Sequence, residues 1–293
     1  MPIVPSSVRS SSAGIVASKA RRAAFALGLA TVALLGADCL SAHAENPNIA
    51  SRRAAERTDF TNEEIREGFF KIAFGAELQL DKPVGRVRKF DEPVRIFVEA
   101  TGAPERRNEL ANVVADIRSR VNHLDIDLTT DRRAANFVVR LVPERRLKST
   151  IRALYGDDRA RQIQKELKPE CLSGIGKDET FRIRRAEVIL PVDVGDFTFY
   201  DCAYEELLQA LGAINDDASV PWTMFNDDVQ MGFFDVYDQY LLNILYDPRV
   251  TPGMTRDEVD AVLPDILASA RQWVREINPP RRAESQDRQA VRN

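Results

Sequence analysis

The stretch Tyr204-Glu-Glu-Leu-Leu-Gln-Ala-Leu-Gly-Ala-Ile-Asn215 places polar side chains at helical spacing and then stops on a glycine. Glu205 and Gln209 are four residues apart, so a helix brings them onto one face. Glu206 points about 100° away from Glu205, which excludes the pair as the facing carboxylates of a glycosidase. Leu207, Leu208 and Leu211 supply the apolar contacts that hold such a helix to a core, and Gly212 is a natural C-cap. Asn215 follows three residues later. An ordinary amphipathic helix with a glycine cap has the same local pattern, so the surrounding sequence has to decide between the readings.

Outward from this segment the pattern alternates between strand and helix. Thr61-Asn-Glu-Glu64 is a capping box ahead of Ile65, Phe69 and Ile72 at helical spacing. Arg86 to Phe90 and Val94 to Val98 read as strands, with Pro93 between them. Pro104 opens a long helix with Leu110, Val113, Val114, Ile117 and Val121 on one face. Ile126 to Leu128 and Phe137 to Val142 are further strands. Residues 144–167 form a charged helical insertion. Phe181 to Leu190 is a strand stopped by Pro191, and Asp201 to Leu211 is the helix already described. Phe234 to Tyr246 and Thr255 to Ile277 are helical, the latter with a break or bend near Pro264. The expected fold is α+β: a twisted mixed sheet with helices on one side, a long helix, a central helix carrying the quoted segment, and C-terminal helices. One domain covers 61–277, with a loose polar lead-in over 45–60 and a disordered tail over 278–293.

Zinc proteases place two His four residues apart on one helical face, with a Glu beside the first to polarise the metal-bound water. In metzincins a Gly then breaks the helix and a third ligand follows three residues on. The chain resembles that pattern. Glu205 stands at the first ligand position, Glu206 at the catalytic Glu, Gln209 at the second ligand, Gly212 at the Gly and Asn215 at the third ligand. Ser219-Val-Pro-Trp-Thr-Met-Phe225 is similar to the loop that carries a Met beneath the metal, here Met224, and Asp238 to Tyr246 is similar to the last helix of that fold. The resemblance implies a zincin-like fold with Glu205, Gln209, Asn215 and Met224 lining a cleft. It departs from the family at every ligand position. The chain has two His residues, His43 and His123, so three imidazoles cannot be assembled. Neutral amides are poor zinc ligands, so the expectation is no metal and no cofactor. A wider pattern resembles domain-of-unknown-function family 2927 over roughly residues 65–265. It is carried by Tyr204 to Asp216, Phe225-Asn226-Asp227, Leu245-Tyr-Asp-Pro-Arg249 and Gly253-Met254, and it implies no activity.

Lys19-Ala-Arg21-Arg22, an apolar run from Ala23 to Ala37 and Ala42-His43-Ala44 read as an export signal over 1–44, with an uncleaved anchor as the alternative. Its removal leaves 249 of 293 residues and a formal charge of −7 from 37 basic and 44 acidic side chains. An acidic chain is a poor partner for nucleic acid, and no later segment is apolar for long enough to span a membrane. Cys171 and Cys202 then remain, to be read as one disulfide or as two buried thiols.

Asn215-Asp216-Asp217 and Asn226-Asp227-Asp228 are oxygen-rich, suited to turns or to a hard cation. The Arg-rich stretch 140–161 reads as a solvated helical face or a patch for an anionic partner. His123 belongs near a helix end. The functional expectation is a periplasmic or secreted domain that binds an envelope protein or peptide and has lost catalysis. The alternative is a hydrolase using Glu206 with an unorthodox metal site or none.

Overall fold

A computed structural model describes residues 45–75, 85–100, 105–167 and 170–279. The expected signal, 1–44, and all of the expected tail beyond residue 279 lie outside them. The described residues form a mixed α+β fold with five strands and seven α-helices.

The strands are β1 (Val94–Ala100), β2 (Ile126–Thr129), β3 (Phe137–Val142), β4 (Leu172–Lys177) and β5 (Ile183–Pro191), in the order β2-β1-β3-β5-β4. All pairs are parallel except β4–β5, so the sheet ends in one antiparallel edge strand. Parallel neighbours need crossover connections, and helices supply them. They are α3 (Arg107–Arg120) between β1 and β2, and α4 (Leu147–Glu166), which with β4 lies on the crossover from β3 to its parallel neighbour β5.

Side chains alternate across each strand, and this divides the apolar residues into two cores. Val188 and Leu190 join the large core with Leu207, Leu208, Phe225 and the C-terminal helices. Ile189, Leu172 and Val142 face the other way and pack under Leu147, Ile151 and Ile163 of α4. Helices therefore cover both faces, not one. The inserted charged helix closes the second face with a narrow apolar stripe, although Gly156, at φ 77°, interrupts its regular geometry.

Several elements differ from their sequence reading. The lead-in carries α1 (Pro47–Ala55). Ile49 is its one buried residue, but Arg52 and Arg53 stack on the rings of Phe197 and Phe233 at 4.5 and 4.2 Å. Residues 86–90 make only an isolated bridge, Lys89 to Arg182, because their cations turn inward. Arg88 donates to the carbonyls of Ala73 and Gly75, at the end of α2 (Asn62–Phe74). Lys89 donates to Leu245 O at 2.7 Å and Val250 O at 2.8 Å, at the end of α6 (Val236–Leu245). Each thus caps the negative end of a different helix. The last helix, α7 (Arg256–Ile277), runs through Pro264 without interruption, with Val259, Leu263, Ile266 and Leu267 buried on both sides of it. The capping box of Thr61 and Glu64 forms as expected.

Candidate functional site

The helix after β5 is α5 (Asp196–Ala210), which starts five residues before its expected first residue, Asp201. Its C-terminus is fixed by Gly212, at φ 123°, a backbone region that side chains with a Cβ avoid. A Cβ there would lie 2.1 Å from Arg88 O, so the glycine also permits close approach of the 86–90 segment. Tyr246 donates its hydroxyl to Leu211 O at 2.9 Å, tying α5 to the end of α6. Near its middle, α5 is joined to the start of β4 by the Cys171–Cys202 disulfide, whose Cα atoms are 5.9 Å apart.

Three carboxylates converge beside this helix. Ligand oxygens of Glu205, Asp216 and Asp227 all lie within 4.8 Å of one another. Gln209 organises the group: its amide donates to Asp216 at 2.9 Å, and its carbonyl accepts from Ser173 of β4 at 3.1 Å. Gln209 therefore links the acidic cluster to the edge strand. Glu206 is buried, within electrostatic range of Glu205 and of Tyr155 from α4.

Burial and crowding set the proton affinities. Desolvation first, then the charges of Glu206, Asp216, Asp201 and Asp227, push Glu205 up to about 10. Asp216 rises to about 6 through burial and the neighbouring Asp227, against the lowering effect of the Gln209 hydrogen bond. Tyr155 is raised to about 12 by burial, with Glu187 and Glu206 adding to it.

The remaining residues singled out by the sequence take structural positions. Asn215 donates through its side chain to Lys71 O at 2.9 Å and through its backbone to Ile72 O at 3.2 Å. Asp216, one residue later, occupies the place expected of it. Met224 is buried, and its N–H donates to Asp238 at 2.8 Å. Asp238 also accepts from Thr223, so one buried carboxylate anchors this loop to α6. His123 takes a left-handed backbone, φ 63°, and lies within electrostatic range of Asp247 near the end of α6.

The sequence reading noted Asp216 and Asp227 but did not join them to Glu205. The signal was the repeated Asn-Asp-Asp triplet, whose middle residue serves the cluster in both cases. The flanking residues build the turns: Asp217 accepts from Ser219 N at 2.9 Å, and Asn226 accepts from Asp228 N at 3.0 Å. Chemically, Glu205, Asp216 and Asp227 are hard oxygen donors. Such a set suits Ca²⁺ or Mg²⁺ and does not fit catalytic zinc, which takes His nitrogen or Cys sulfur beside any carboxylate.

The fold and site together define a mixed-sheet α+β domain with an oxygen-lined helix face beside an antiparallel edge strand. The chain belongs to the family described as protein of unknown function (DUF2927), whose model matches residues 62–265. No curated protein and no solved structure matches it. No helix among the described residues is long and apolar enough to cross a membrane.

Proposed function

We propose that this chain is an exported, zincin-like binding domain of the bacterial cell envelope that has lost peptide hydrolysis. The observation that carries the reading is the composition of the α5 face, where Glu205, Gln209 and Asp216 offer oxygen and amide groups and no imidazole. Without zinc, a water near Glu206 keeps a pKa far above neutrality instead of the value of about 7 that a bound zinc confers, and peptide hydrolysis lacks its nucleophile at neutral pH. Three further features support the zincin-like reading: the helix break at Gly212, the buried Met224 on the following loop, and the antiparallel edge strand beside the helix.

The edge of β4 opposite β5 has no strand neighbour among the described residues, and Gln209 joins this strand to the site. An extended peptide adding to that edge would use main-chain hydrogen bonds and reach the acidic face with alternate side chains. Protein purified without chelator should contain no stoichiometric zinc, and casein hydrolysis should be blank before and after Glu206→Gln. Stoichiometric zinc, or proteolysis abolished by that substitution, would overturn the reading.

The convergence of Glu205, Asp216 and Asp227 favours a second reading, hydrolysis through Glu206 with an oxygen-ligated cation. Peptide hydrolysis that appears on adding Ca²⁺ or Mg²⁺ and is lost in Glu205→Gln would replace the first reading with this one.

A further inference from the structure

A concave site lies where α1, α6 and the ends of α3 and α7 meet. It is a cavity of about 620 Å³, within the range of small-molecule sites. Arg53, Arg120 and Arg275 contribute to its lining, and Glu56 is the one acidic residue among its lining groups. Phe234, Val236 and Tyr240 give it an apolar wall.

Arg120, Arg53 and Glu56 are held in place before any ligand arrives. Arg120 pairs with Asp116 at 2.6 Å and donates to Asn278 at 3.1 Å. Asn278 in turn donates to Gln239 at 2.7 Å. Arg53 pairs with Glu45 at 3.0 Å through Nε, and its guanidinium group is stacked on the ring of Phe233. Arg275, exposed in the last turn of α7, forms no salt bridge among the described residues. Glu56 accepts from Val236 N at the start of α6. Its burial raises it to about 7, against the lowering effects of Arg53 and Arg120. In its protonated form it adds one more donor. Three arginines therefore line the cavity against one carboxylate, and the complementary ligand is an anion.

We propose that the cavity binds a small organic anion, with its carboxylate or phosphate group on Arg275 and Arg120 and its apolar body against Phe234, Val236 and Tyr240. Nothing in the α5 site requires this function, and it stands or falls independently of the binding role proposed above.

Two fluorescent probes of the same shape test it: anilinonaphthalene sulfonate, an anion, and its neutral counterpart phenylnaphthylamine. The full chain should bind one sulfonate and bind it more tightly than the neutral probe. Arg275→Glu reverses one exposed charge in the last helical turn. It should weaken the sulfonate by about tenfold or more, as expected for loss of a charge-assisted hydrogen bond. It should leave the neutral probe and the far-UV spectrum unchanged, and Arg275→Gln should fall between. Absence of sulfonate binding, equal affinity for the two probes, or unchanged sulfonate affinity in Arg275→Glu would overturn the proposal. Binding that appears only after removal of residues 280–293 would also overturn it, by making the cavity a seat for the chain's own terminus.

Discussion

Glu205 keeps its proton in the folded chain because burial and four neighbouring acids oppose its charge. Its ordinary value is near 4.5 and its folded value is about 10. The stability this group contributes is therefore fully present below about pH 4.5 and is lost as pH rises from there toward 10. Glu205→Gln keeps the shape and removes the titration. It should match the parent near pH 4.5 and exceed it by roughly 2 kcal/mol at pH 7. Urea unfolding at the two pH values measures this, and parallel behaviour of parent and variant would exclude the buried neutral acid. At this scale the sequence was informative where a helix set the spacing. Glu205 and Gln209 share their face as the four-residue interval requires. Asn215 and Asp216 exchange roles because the chain beyond Gly212 is not helical, and helical periodicity says nothing about which of two adjacent loop residues turns inward.

Among the elements, β4 depends most on a single bond. Its first residue follows Cys171, and the disulfide to Cys202 closes a sequence separation of 31. Thiol titration of the denatured, unreduced protein should find neither Cys171 nor Cys202 free. Replacing both by Ser should cost about 3 kcal/mol by the loop-closure model. Amide exchange should rise first in β4, which is otherwise held by the β5 ladder, the Ser173–Gln209 hydrogen bond and the packing of Leu172 and Ile175. If exchange rises uniformly, the bond stabilises the chain without holding this strand in particular. β1, β2, β3 and β5 were readable as apolar runs, and α2 from its capping box. β4 was not, because Leu-Ser-Gly-Ile-Gly-Lys contains two glycines and one β-branched residue, too little strand propensity to register. α1 was missed for a different reason. It attaches largely through arginine guanidinium groups stacked on aromatic rings, and a helix held that way has no apolar stripe to detect.

For the molecule as a whole, buried acids place the stability maximum on the acid side. Asp216, Glu56 and Glu205 are raised to about 6, 7 and 10, and each withdraws stability as pH climbs above the ordinary carboxylate range. Asp178 and Asp260 are lowered by hydrogen bonds to their neighbours, and they withdraw stability only as pH falls below that range. Both are partly exposed and screened, so their effect is the smaller one. A series of unfolding curves should therefore peak at about pH 4.5 and decline toward pH 7, unlike the usual maximum at about pH 5 to 8. A peak near neutrality would mean that a counter-ion already neutralises the α5 cluster. The division into two apolar cores was partly legible. Strand periodicity gave the two faces, but the thin stripe on α4, diluted by exposed charges, did not announce that it would cover one of them. The 86–90 segment was misread because its alternation fits a strand, and a cation's distant carbonyl partners leave no local trace. Arg88 and Lys89 cap two helices through consecutive side chains, and this limits evolutionary change in an uneven way. Either residue can drift to another long cation with modest loss. A single-residue insertion or deletion between Val87 and Phe90 would instead send each cation to the wrong helix, so this stretch should vary in identity far more readily than in length.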